Sequence, residues 1–504
     1  MKLLLVYTLF GILVTTADVY ADYTYKEEDT RMINGVLYDS KGDVVTGIYE
    51  EFYDNNVKKS ELPYENGILN GVGSFYDENG VKVSDMPFVN GRPEGNALGY
   101  YENGSMKDKT PYKDGKINGY VRTFYPNGVV QSRISYENGV KNGPATEYYD
   151  DGSKREVYTY VNGQKQGPSK VFFPDGSLAE EFNYANGDVV GDLVVYYRSG
   201  QPKSKITYAN GQKNGKAYNY YETGEPEAIL PYEEDKVNGE GLFYLRDGTL
   251  NLSVNYKDGV RNGIASAYYP DGNVKLTVAY EDDVKNGVET EYYENGHVKA
   301  EIPYVDGVVE GTGKEYYEDA SLKMEMEYVN ARANGVAKLY DEQGNLSVES
   351  NYVDGKKEGI EKTYNADGVV VAESNYVNDI LDGESKEFYE DGKIKSTANY
   401  ANGNLEGLFL IYDNDGNLSY EVPYVHNRKE GKVKRYYPSG AVMGEVSYEK
   451  GMKHGMLDAY NEDGSLMAKV LFNKNEAIKG YSLDHGRNPV KMSEEDLKVI
   501  NESY

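Results

Sequence analysis

Apolar residues alternate with polar ones along most of the chain, in short runs that glycine, proline, asparagine and aspartate interrupt. This alternation is typical of antiparallel strands with one face buried and the other in water. The pattern recurs every 24 residues, without insertion or deletion, over residues 48–472. A constant period predicts stacked units that all make the same contacts with their neighbours.

Two aromatic series mark the repeat. An aromatic residue stands at Tyr64 and at every 24th position as far as Phe472, and a second series runs through eighteen positions from Phe52 to Tyr460. The composition, with 53 tyrosines and 56 glycines, fits a chain of many short strands and many turns. Each unit is therefore predicted to be a β-hairpin.

Two glycine series separate the strands. Glycine occupies all eighteen positions from Gly47 to Gly455, and a further series from Gly80 to Gly464 is broken once, at Ala320. Several members of the latter series end a Pro-x-Gly turn: Pro126-Asn127-Gly128, Pro174-Asp175-Gly176, Pro270-Asp271-Gly272 and Pro438-Ser439-Gly440. Proline suits the second position of a type I turn and glycine the left-handed residue after it, which predicts a three-residue hairpin loop with a glycine bulge. The other connection in each unit is predicted to be a looser turn.

Pairing across the three-residue loop predicts the faces of the sheet. With a loop at 78–80, Tyr76 lies opposite residue 82, a position that is usually aliphatic in the other units. The same face is predicted to continue to residues 86 and 88, whereas the positions between are mostly polar. We therefore expect Tyr76 and Phe88 to share the buried face of a one-sided sheet.

The predicted fold is all-β: an elongated, single, twisted antiparallel sheet of about eighteen 24-residue β-hairpin repeats. At about 4.8 Å per strand, the array would extend on the order of 170 Å. Residues 22–47 are interpreted as a degenerate N-terminal capping repeat, 48–472 as the repeat array and 473–504 as a C-terminal cap. In the last segment Ser493 resembles the start of a capping box, which predicts a short helix over Leu497–Asn501.

The first 21 residues resemble a signal peptide. Lys2 supplies a positive charge, Leu3–Val14 form an apolar core, and cleavage is expected after Ala21, with Ala17 as the alternative. The apolar stretch is too short to span a bilayer comfortably, so no integral membrane segment is expected. The protein is therefore predicted to be exported, to the periplasm, the cell surface or the medium.

Charge and cysteine content restrict the partners. The formal net charge is -29 and the pI about 4.7, so the surface repels phosphate backbones and anionic lipid, which argues against nucleic acid as a partner. The acidic residues are spread evenly, as on a solvated repeat surface. Without cysteine, the chain must obtain its stability from the architecture rather than from disulfides.

The repeat resembles a known family. The pattern Y-x-N-G-x-x-x-G followed by Y-Y-x-N-G-like residues is well represented by Tyr136-Glu137-Asn138-Gly139, Gly143, Tyr148-Tyr149 and Gly152. It resembles the MORN repeat family, in particular the bacterial MORN-2 variant also seen in YwqK-type antitoxin-like proteins. The resemblance covers residues 48–472 and implies hairpin units stacked in an elongated sheet. For function it implies protein contacts, scaffolding or lipid contact. The chain departs from the common pattern in lacking tryptophan.

The residues indicate no catalytic site, cofactor or metal site. The four histidines fall in different units or in the tail: His297, His426, His454 and His485. The segment 413–417, Asp-Asn-Asp-Gly-Asn, resembles the start of a calcium loop but lacks the later glutamate. It coincides with the predicted tight turn, where Asn and Asp are favoured for backbone reasons, so a turn is preferred to a metal site.

The best candidates for partner binding are tyrosines that follow the constant aromatic by one residue and are expected to point to the opposite, polar face. The predicted partner-binding residues are Tyr101, Tyr125, Tyr149, Tyr197, Tyr221, Tyr269, Tyr293 and Tyr317. One tyrosine per unit would form a ladder suited to protein or glycan contact. The alternative, given more weight, is that each ring covers its cross-strand neighbours and stiffens the sheet.

Three functions remain open from the sequence. The leading hypothesis is an exported, non-enzymatic rod that binds a protein or glycan ligand in an adhesive role. The alternatives are an antitoxin or immunity protein that sequesters a toxin, and an envelope scaffold with lipid contact. Self-association through exposed end strands is a further expectation.

Overall fold

The computed structural model describes residues 30–39, 42–484 and 488–503. The predicted signal peptide, 1–21, and residues 22–29 of the predicted N-terminal cap lie outside the described residues. The chain divides into two compact units, residues 1–249 (unit 1) and 250–504 (unit 2).

Unit 1 consists of strands. They are β1 Thr30–Ile33, β2 Val36–Asp39, β3 Gly47–Phe52, β4 Lys58–Glu65, β5 Ile68–Leu69, β6 Gly71–Tyr76, β7 Lys82–Val89, β8 Arg92–Pro93, β9 Gly95–Tyr100, β10 Met106–Lys113, β11 Lys116–Ile117, β12 Gly119–Phe124, β13 Val130–Glu137, β14 Val140–Tyr148, β15 Lys154–Val161, β16 Gln164–Lys165, β17 Gly167–Phe172, β18 Leu178–Ala185, β19 Asp188–Tyr196, β20 Pro202–Ala209, β21 Gln212–Tyr220, β22 Pro226–Glu233, β23 Lys236–Val237 and β24 Gly239–Tyr244.

Unit 2 continues the same pattern and ends in a helix. Its elements are β25 Leu250–Lys257, β26 Val260–Tyr268, β27 Val274–Glu281, β28 Val284–Lys285, β29 Gly287–Tyr292, β30 Val298–Val305, β31 Val308–Val309, β32 Gly311–Tyr316, β33 Leu322–Val329, β34 Arg332–Tyr340, β35 Leu346–Val353, β36 Lys356–Lys357, β37 Gly359–Tyr364, β38 Val370–Val377, β39 Ile380–Phe388, β40 Ile394–Ala401, β41 Asn404–Leu405, β42 Gly407–Tyr412, β43 Leu418–Val425, β44 Arg428–Lys429, β45 Gly431–Tyr436, β46 Val442–Glu449, β47 Met452–Tyr460, β48 Leu466–Asn473, β49 Glu476–Asp484, β50 Asn488–Lys491 and α1 Glu494–Ser503.

Within each unit the strands pair antiparallel in chain order. Two-residue strands such as β5 arise where a bulge at the residue before the constant glycine interrupts a longer strand. There, the amide of Asn70 donates to the carbonyl of Pro63 at 2.9 Å. The predicted all-β fold of antiparallel hairpin repeats with a C-terminal helix is confirmed.

The three-residue loop is confirmed, as the turn at 126–128 illustrates. The amide of Tyr125 donates to the carbonyl of Val129 at 2.8 Å, and the amide of Gly128 donates to the carbonyl of Tyr125 at 2.9 Å. Gly128 has φ of 85°. This is a type I turn followed by a left-handed residue.

The prediction of a looser second turn is wrong. Glu137 pairs directly with Val140, so Asn138 and Gly139 alone form the connection, with φ of 51° and 88°. Positive φ at both central residues defines the type I′ hairpin turn, whose twist matches that of the strands and for which Asn-Gly is the preferred sequence.

The predicted assignment of faces also needs correction. Tyr76 does pair with Lys82, but Phe75 pairs with Ser84, so residue 83 is an extra residue in a β-bulge. The bulge places Tyr76 and Lys82 on the face opposite to Met86. The Tyr76 hydroxyl accordingly donates to the carboxylate of Glu61 at 2.9 Å. Glu61 lies on the face opposite to that of its chain neighbour Leu62.

We call the two faces the core face and the open face. In the repeat that contains β14 and β15, the core face carries Ala145, Tyr158 and Tyr160, and the open face carries Thr146 and Tyr148. The same assignment extends to the equivalent positions of the other repeats. Here a small residue faces a large one, since Ala145 is only 2% exposed and lies opposite the buried Tyr158.

The array is covered at its beginning by the hairpin of β1 and β2. The amide of Leu37 donates to the carbonyl of Gly67 at 2.7 Å, and the amide of Gly67 donates to the carbonyl of Val45 at 2.7 Å. The Leu37 side chain is buried. The contacts fit a capping role for this segment, and the predicted boundary at residue 47 stays a prediction.

The C-terminal segment extends the sheet before it forms the helix. Strands β49 and β50 follow the last repeat, which the sequence did not predict. Helix α1 begins at Glu494 rather than Leu497, and Ser493 and Asp496 form the expected reciprocal capping box at 2.8 and 3.1 Å. Its Leu497 and Ile500 side chains pack against a core cluster of Val470, Phe472 and Ala477.

Candidate binding surfaces

The predicted tyrosine ladder ties each repeat to the next. The hydroxyl of Tyr125 donates to the backbone carbonyl of Tyr148, 23 residues later, at 2.9 Å. Identical bonds of 2.7–2.9 Å join Tyr101 to Phe124, Tyr149 to Phe172, Tyr197 to Tyr220, Tyr221 to Tyr244, Tyr269 to Tyr292, Tyr293 to Tyr316 and Tyr317 to Tyr340. All eight side chains are half-buried. Their hydroxyls are therefore committed to the fold.

The ladder lies on the core-face side rather than on the polar side that the sequence predicts. In the first repeat, Lys59 lies 6.0 Å from the ring centroid of Tyr53 and 4.0 Å from the carboxylate of Glu51, a core-face residue. The bulge causes this reversal, because it moves the preceding aromatic to the open face. A binding role for the ring faces of the ladder stays a prediction.

The other aromatic of each pair contacts carboxylates on the open face. The hydroxyl of Tyr100 donates to Asp85 at 2.7 Å, and that of Tyr316 donates to Glu301 at 2.8 Å. Burial, and then the hydrogen bond to Asp85, raises the pKa of Tyr100 to about 12. Burial opposes ionisation of Asp85, yet its bonds from Lys82, Ser74 and Tyr100 keep the pKa of that carboxyl below its usual value.

A row of alternating charges crosses the open face of unit 2. Eight residues, each directly opposite the next on consecutive strands, are Glu301, Lys314, Glu325, Lys338, Glu349, Lys362, Glu373 and Lys386. The Lys338 ammonium lies 3.2 Å from the Glu325 carboxylate. Cross-strand pairs of opposite charge stabilise a sheet, so each of the six inner charges of this row supports two neighbours. The row depends on register, which is why the sequence alone did not reveal it.

Exposed aliphatic residues lie beside this charged row. We define the aliphatic row as Val305, Val308, Val329, Val336, Val353, Ile360, Val377 and Ile380, which are between 39% and 53% exposed. Val305 pairs with Val308 and Val377 with Ile380, each across a two-residue turn. Val329 and Val353 instead pair with Arg332 and Lys356. Single exposed aliphatic residues are ordinary, but apolar residues exposed in successive repeats with charge beside them are typical of a binding surface. Valine at 305, 329, 353 and 377 is a 24-residue signal that the sequence analysis missed.

The remaining candidates serve the turns. Asp413 accepts the amides of Asp415 and Asn417 through one carboxylate oxygen, at 3.0 and 2.8 Å. The His297 ring contacts the carbonyl of Glu318 at 2.7 Å. Across residues 30–39, 42–484 and 488–503, no three His, Asp or Glu side chains are grouped as metal ligands would be. His485 lies outside the described residues.

The described part of the chain holds no helix with the length and apolar character needed to cross a membrane.

No curated protein matches the chain. Among solved structures, it is similar to the chain titled "Crystal Structure of TcdB2-TccC3", with 11% identity, 88% of this chain and 27% of that chain covered, and a TM-score of 0.14. A Photorhabdus luminescens Tc holotoxin pore gives 12% identity, 93% and 28% coverage, and a TM-score of 0.12. The chain thus spans under a third of the length of either relative.

The family comparison agrees with the repeat geometry. The MORN repeat variant matches fourteen segments: 45–66, 93–114, 117–138, 141–162, 165–186, 190–210, 213–234, 261–282, 285–306, 333–354, 357–378, 381–402, 405–426 and 429–450. Each covers one three-residue loop with most or all of the two strands that flank it, and together they account for more than half of the chain. The protein therefore belongs to the MORN repeat family, in its MORN repeat variant form.

Proposed function

We propose that this repeat protein is exported, is not an enzyme, and binds a macromolecular ligand through the open face of unit 2, at the cell envelope or outside the cell. The observation that carries the proposal is the aliphatic row, whose members are exposed in consecutive repeats. The open face offers apolar area in the row and both signs of charge beside it. That combination is typical of a protein-binding surface.

A protein ligand suits this surface better than a glycan. Sugar rings are commonly held by exposed aromatic faces together with free hydroxyl and amide groups, whereas this surface is aliphatic. The tyrosine hydroxyls that would have served a glycan donate to backbone carbonyls instead. Valine and isoleucine offer apolar area without specific hydrogen bonds, so specificity would come from the adjacent charges.

Site-directed photo-crosslinking tests the binding surface. A photoreactive residue placed at Val353 or Val377 of the full-length protein, expressed in its own cells, is expected to give a discrete adduct. The matched control is Val89, which occupies the same repeat position in unit 1 and is equally exposed, at 47%, as Val353 is. Adducts from 353 and 377 but not from 89 support the proposal. No adduct, or the same adducts from all three positions, contradicts it.

The location is tested separately, with an epitope tag after residue 504 and protease added to intact cells. Loss of the tag, or recovery of the protein in the medium, supports exposure outside the cell. Protection within the periplasmic fraction supports export with an envelope role. Retention in the cytoplasm contradicts export.

A further inference from the structure

The open face of unit 1 contains a row of like charges. Lys109 lies directly opposite Arg122 on the next strand, and Arg122 lies directly opposite Arg133 on the strand after that. Residues opposite each other in an antiparallel sheet have Cβ atoms about 5 Å apart, and like charges there are destabilising. The corresponding row in unit 2 alternates in sign instead. Three adjacent cations in a chain of net charge -29 are a local exception to its electrostatics.

No carboxylate of this row neutralises the three cations. From Asp85 to Glu181, the open-face row runs Asp85, Leu98, Lys109, Arg122, Arg133, Thr146, Val157, Lys170 and Glu181. Asp85 is bound to Lys82 and Tyr100, and Glu147 lies on the core face, where it pairs with Arg155. Within the described residues, Lys109, Arg122 and Arg133 form no ion pair.

The two arginines line a shallow hollow of about 390 Å³, together with Tyr148, Val129 and other residues of the adjoining loops. The guanidinium of Arg133 stacks on the ring of Tyr120 at 3.7 Å, which fixes its plane. Its Nε is buried and has no hydrogen-bond partner among the described residues. A buried donor without a partner costs free energy that a bound acceptor would recover.

Tyr148 supplies a further donor. In six other repeats the equivalent tyrosine donates to a carboxylate fifteen residues earlier: Tyr76, Tyr100, Tyr196, Tyr316, Tyr340 and Tyr436. For Tyr148 that position is Arg133, which cannot accept a hydrogen bond. The hollow therefore gathers donors and positive charge where the repeat elsewhere provides an acceptor.

We propose that Lys109, Arg122, Arg133 and Tyr148 form a binding site for a tetrahedral oxyanion, the phosphate or sulfate group of a monoester. Guanidinium groups bind such oxyanions through paired N–H···O bonds, and a planar group held by stacking loses little freedom on binding. The anion would also remove the repulsion within the row. This site belongs to unit 1 and does not depend on the function proposed above.

The test is a binding titration of the full-length protein with inorganic phosphate and with inorganic sulfate by calorimetry. Sodium chloride is adjusted so that the ionic strength stays constant, since screening alone would weaken the repulsion. Saturable binding of either anion is expected. Arg133→Glu should weaken it by about tenfold or more, the effect of losing charge-assisted hydrogen bonds. Lys338→Gln, in the alternating row of unit 2, is the matched control and should leave binding unchanged.

The melting temperature without anion shows whether a variant that binds no anion has lost the site or has failed to fold. Arg133→Glu replaces a like charge by an opposite one beside Arg122 and gives Tyr148 the acceptor that other repeats have, so its melting temperature without anion should rise. In the wild-type protein the anion should raise the melting temperature, and in the variant it should not. Preference for phosphate or for sulfate identifies which ester the site takes, and both results support the proposal. Absence of saturable binding, or binding that survives Arg133→Glu, overturns it.

Discussion

The hydroxyl of Tyr125 donates to the backbone carbonyl of Tyr148 in the following repeat, at 2.9 Å. Because one such bond joins most neighbouring repeats, the ladder stabilises the interfaces on which a repeat array depends. We expect Tyr125→Phe to cost about 1 kcal/mol, the net value of a hydrogen bond. Hydrogen exchange of the amides in β13 and β14, at the interface that the bond bridges, measures the loss.

The chain provides the reciprocal experiment at Phe173, which occupies the ladder position without a hydroxyl. Phe173→Tyr should gain the bond to the carbonyl of Tyr196 and slow exchange in the adjoining strands by a similar free energy. If both substitutions leave local exchange unchanged, the hydroxyls contribute nothing to the interface, and a ligand-binding role for the ladder becomes the better interpretation.

Much of the fold was predictable because the repeat encodes it locally. Pro126-Asn127-Gly128 specifies its turn through proline φ and a left-handed glycine, and the constant period specifies the stacking. The bulge at residue 83 was not predictable from residue types, since positions 82 and 83 carry no bulge signature. That single extra residue exchanged the faces of Tyr76 and of the tyrosine ladder.

The candidate sites were less accessible to sequence reasoning for a related reason. Lys338 is eleven residues before Glu349 and thirteen after Glu325, and nothing in these spacings indicates contact until the register across two different turns is known. The Asn138-Gly139 turn, in contrast, carried a recognisable type I′ signal. Local turn chemistry can thus be inferred from sequence, whereas cross-strand chemistry needs the register.

Ala320 is the single exception in its glycine series and adopts a left-handed backbone, with φ of 69°. A residue with a Cβ pays roughly 1–2 kcal/mol in this conformation, whereas glycine does not. We expect Ala320→Gly to stabilise the hairpin of β32 and β33 by about 1 kcal/mol. Hydrogen exchange in these strands reports the change.

The control for this prediction is Gly344→Ala, at the next loop. Gly344 has φ of 84°, and a Cβ there would meet no atom within 4 Å, so the cost would be conformational alone. It should destabilise β34 and β35 by a comparable amount. Equal effects of the same sign from the two substitutions would contradict the conformational explanation.

The hydrogen bond between Tyr100 and Asp85 predicts a dependence on alkaline pH. The pKa of Tyr100 is raised from an ordinary value of 10.0 to about 12, by burial and then by the bond to Asp85. The contribution to stability is therefore fully present below pH 10 and is lost as the pH rises through about 12. Tyr100→Phe should be less stable than the wild type at neutral pH, and the difference should disappear by pH 12. Urea unfolding at a series of pH values measures it.

The difference in tyrosinate absorbance between the wild-type protein and Tyr100→Phe provides an independent check. The missing group should titrate with a midpoint near pH 12. A midpoint at pH 10, the ordinary value, would show that the bond to Asp85 and the burial are absent in solution. Tyr125→Phe serves as the comparison, since its hydroxyl donates to a carbonyl rather than to a carboxylate.

The charges of the row in unit 2 alternate in sign, so replacing one of its lysines by an acid should lower stability. In unit 1, where the charges are alike, Arg133→Glu should raise it. Lys338 lies directly opposite both Glu325 and Glu349, so Lys338→Glu would place three acids in succession. It should lower stability by up to about 1 kcal/mol relative to Lys338→Gln, since like charges in opposed positions repel. Thermal unfolding at low and high salt measures the effect, which should shrink as salt screens the charges. A Lys338→Glu variant as stable as Lys338→Gln at low salt would show that the row contributes packing rather than charge, because both substitutions remove the lysine and only one adds an acid.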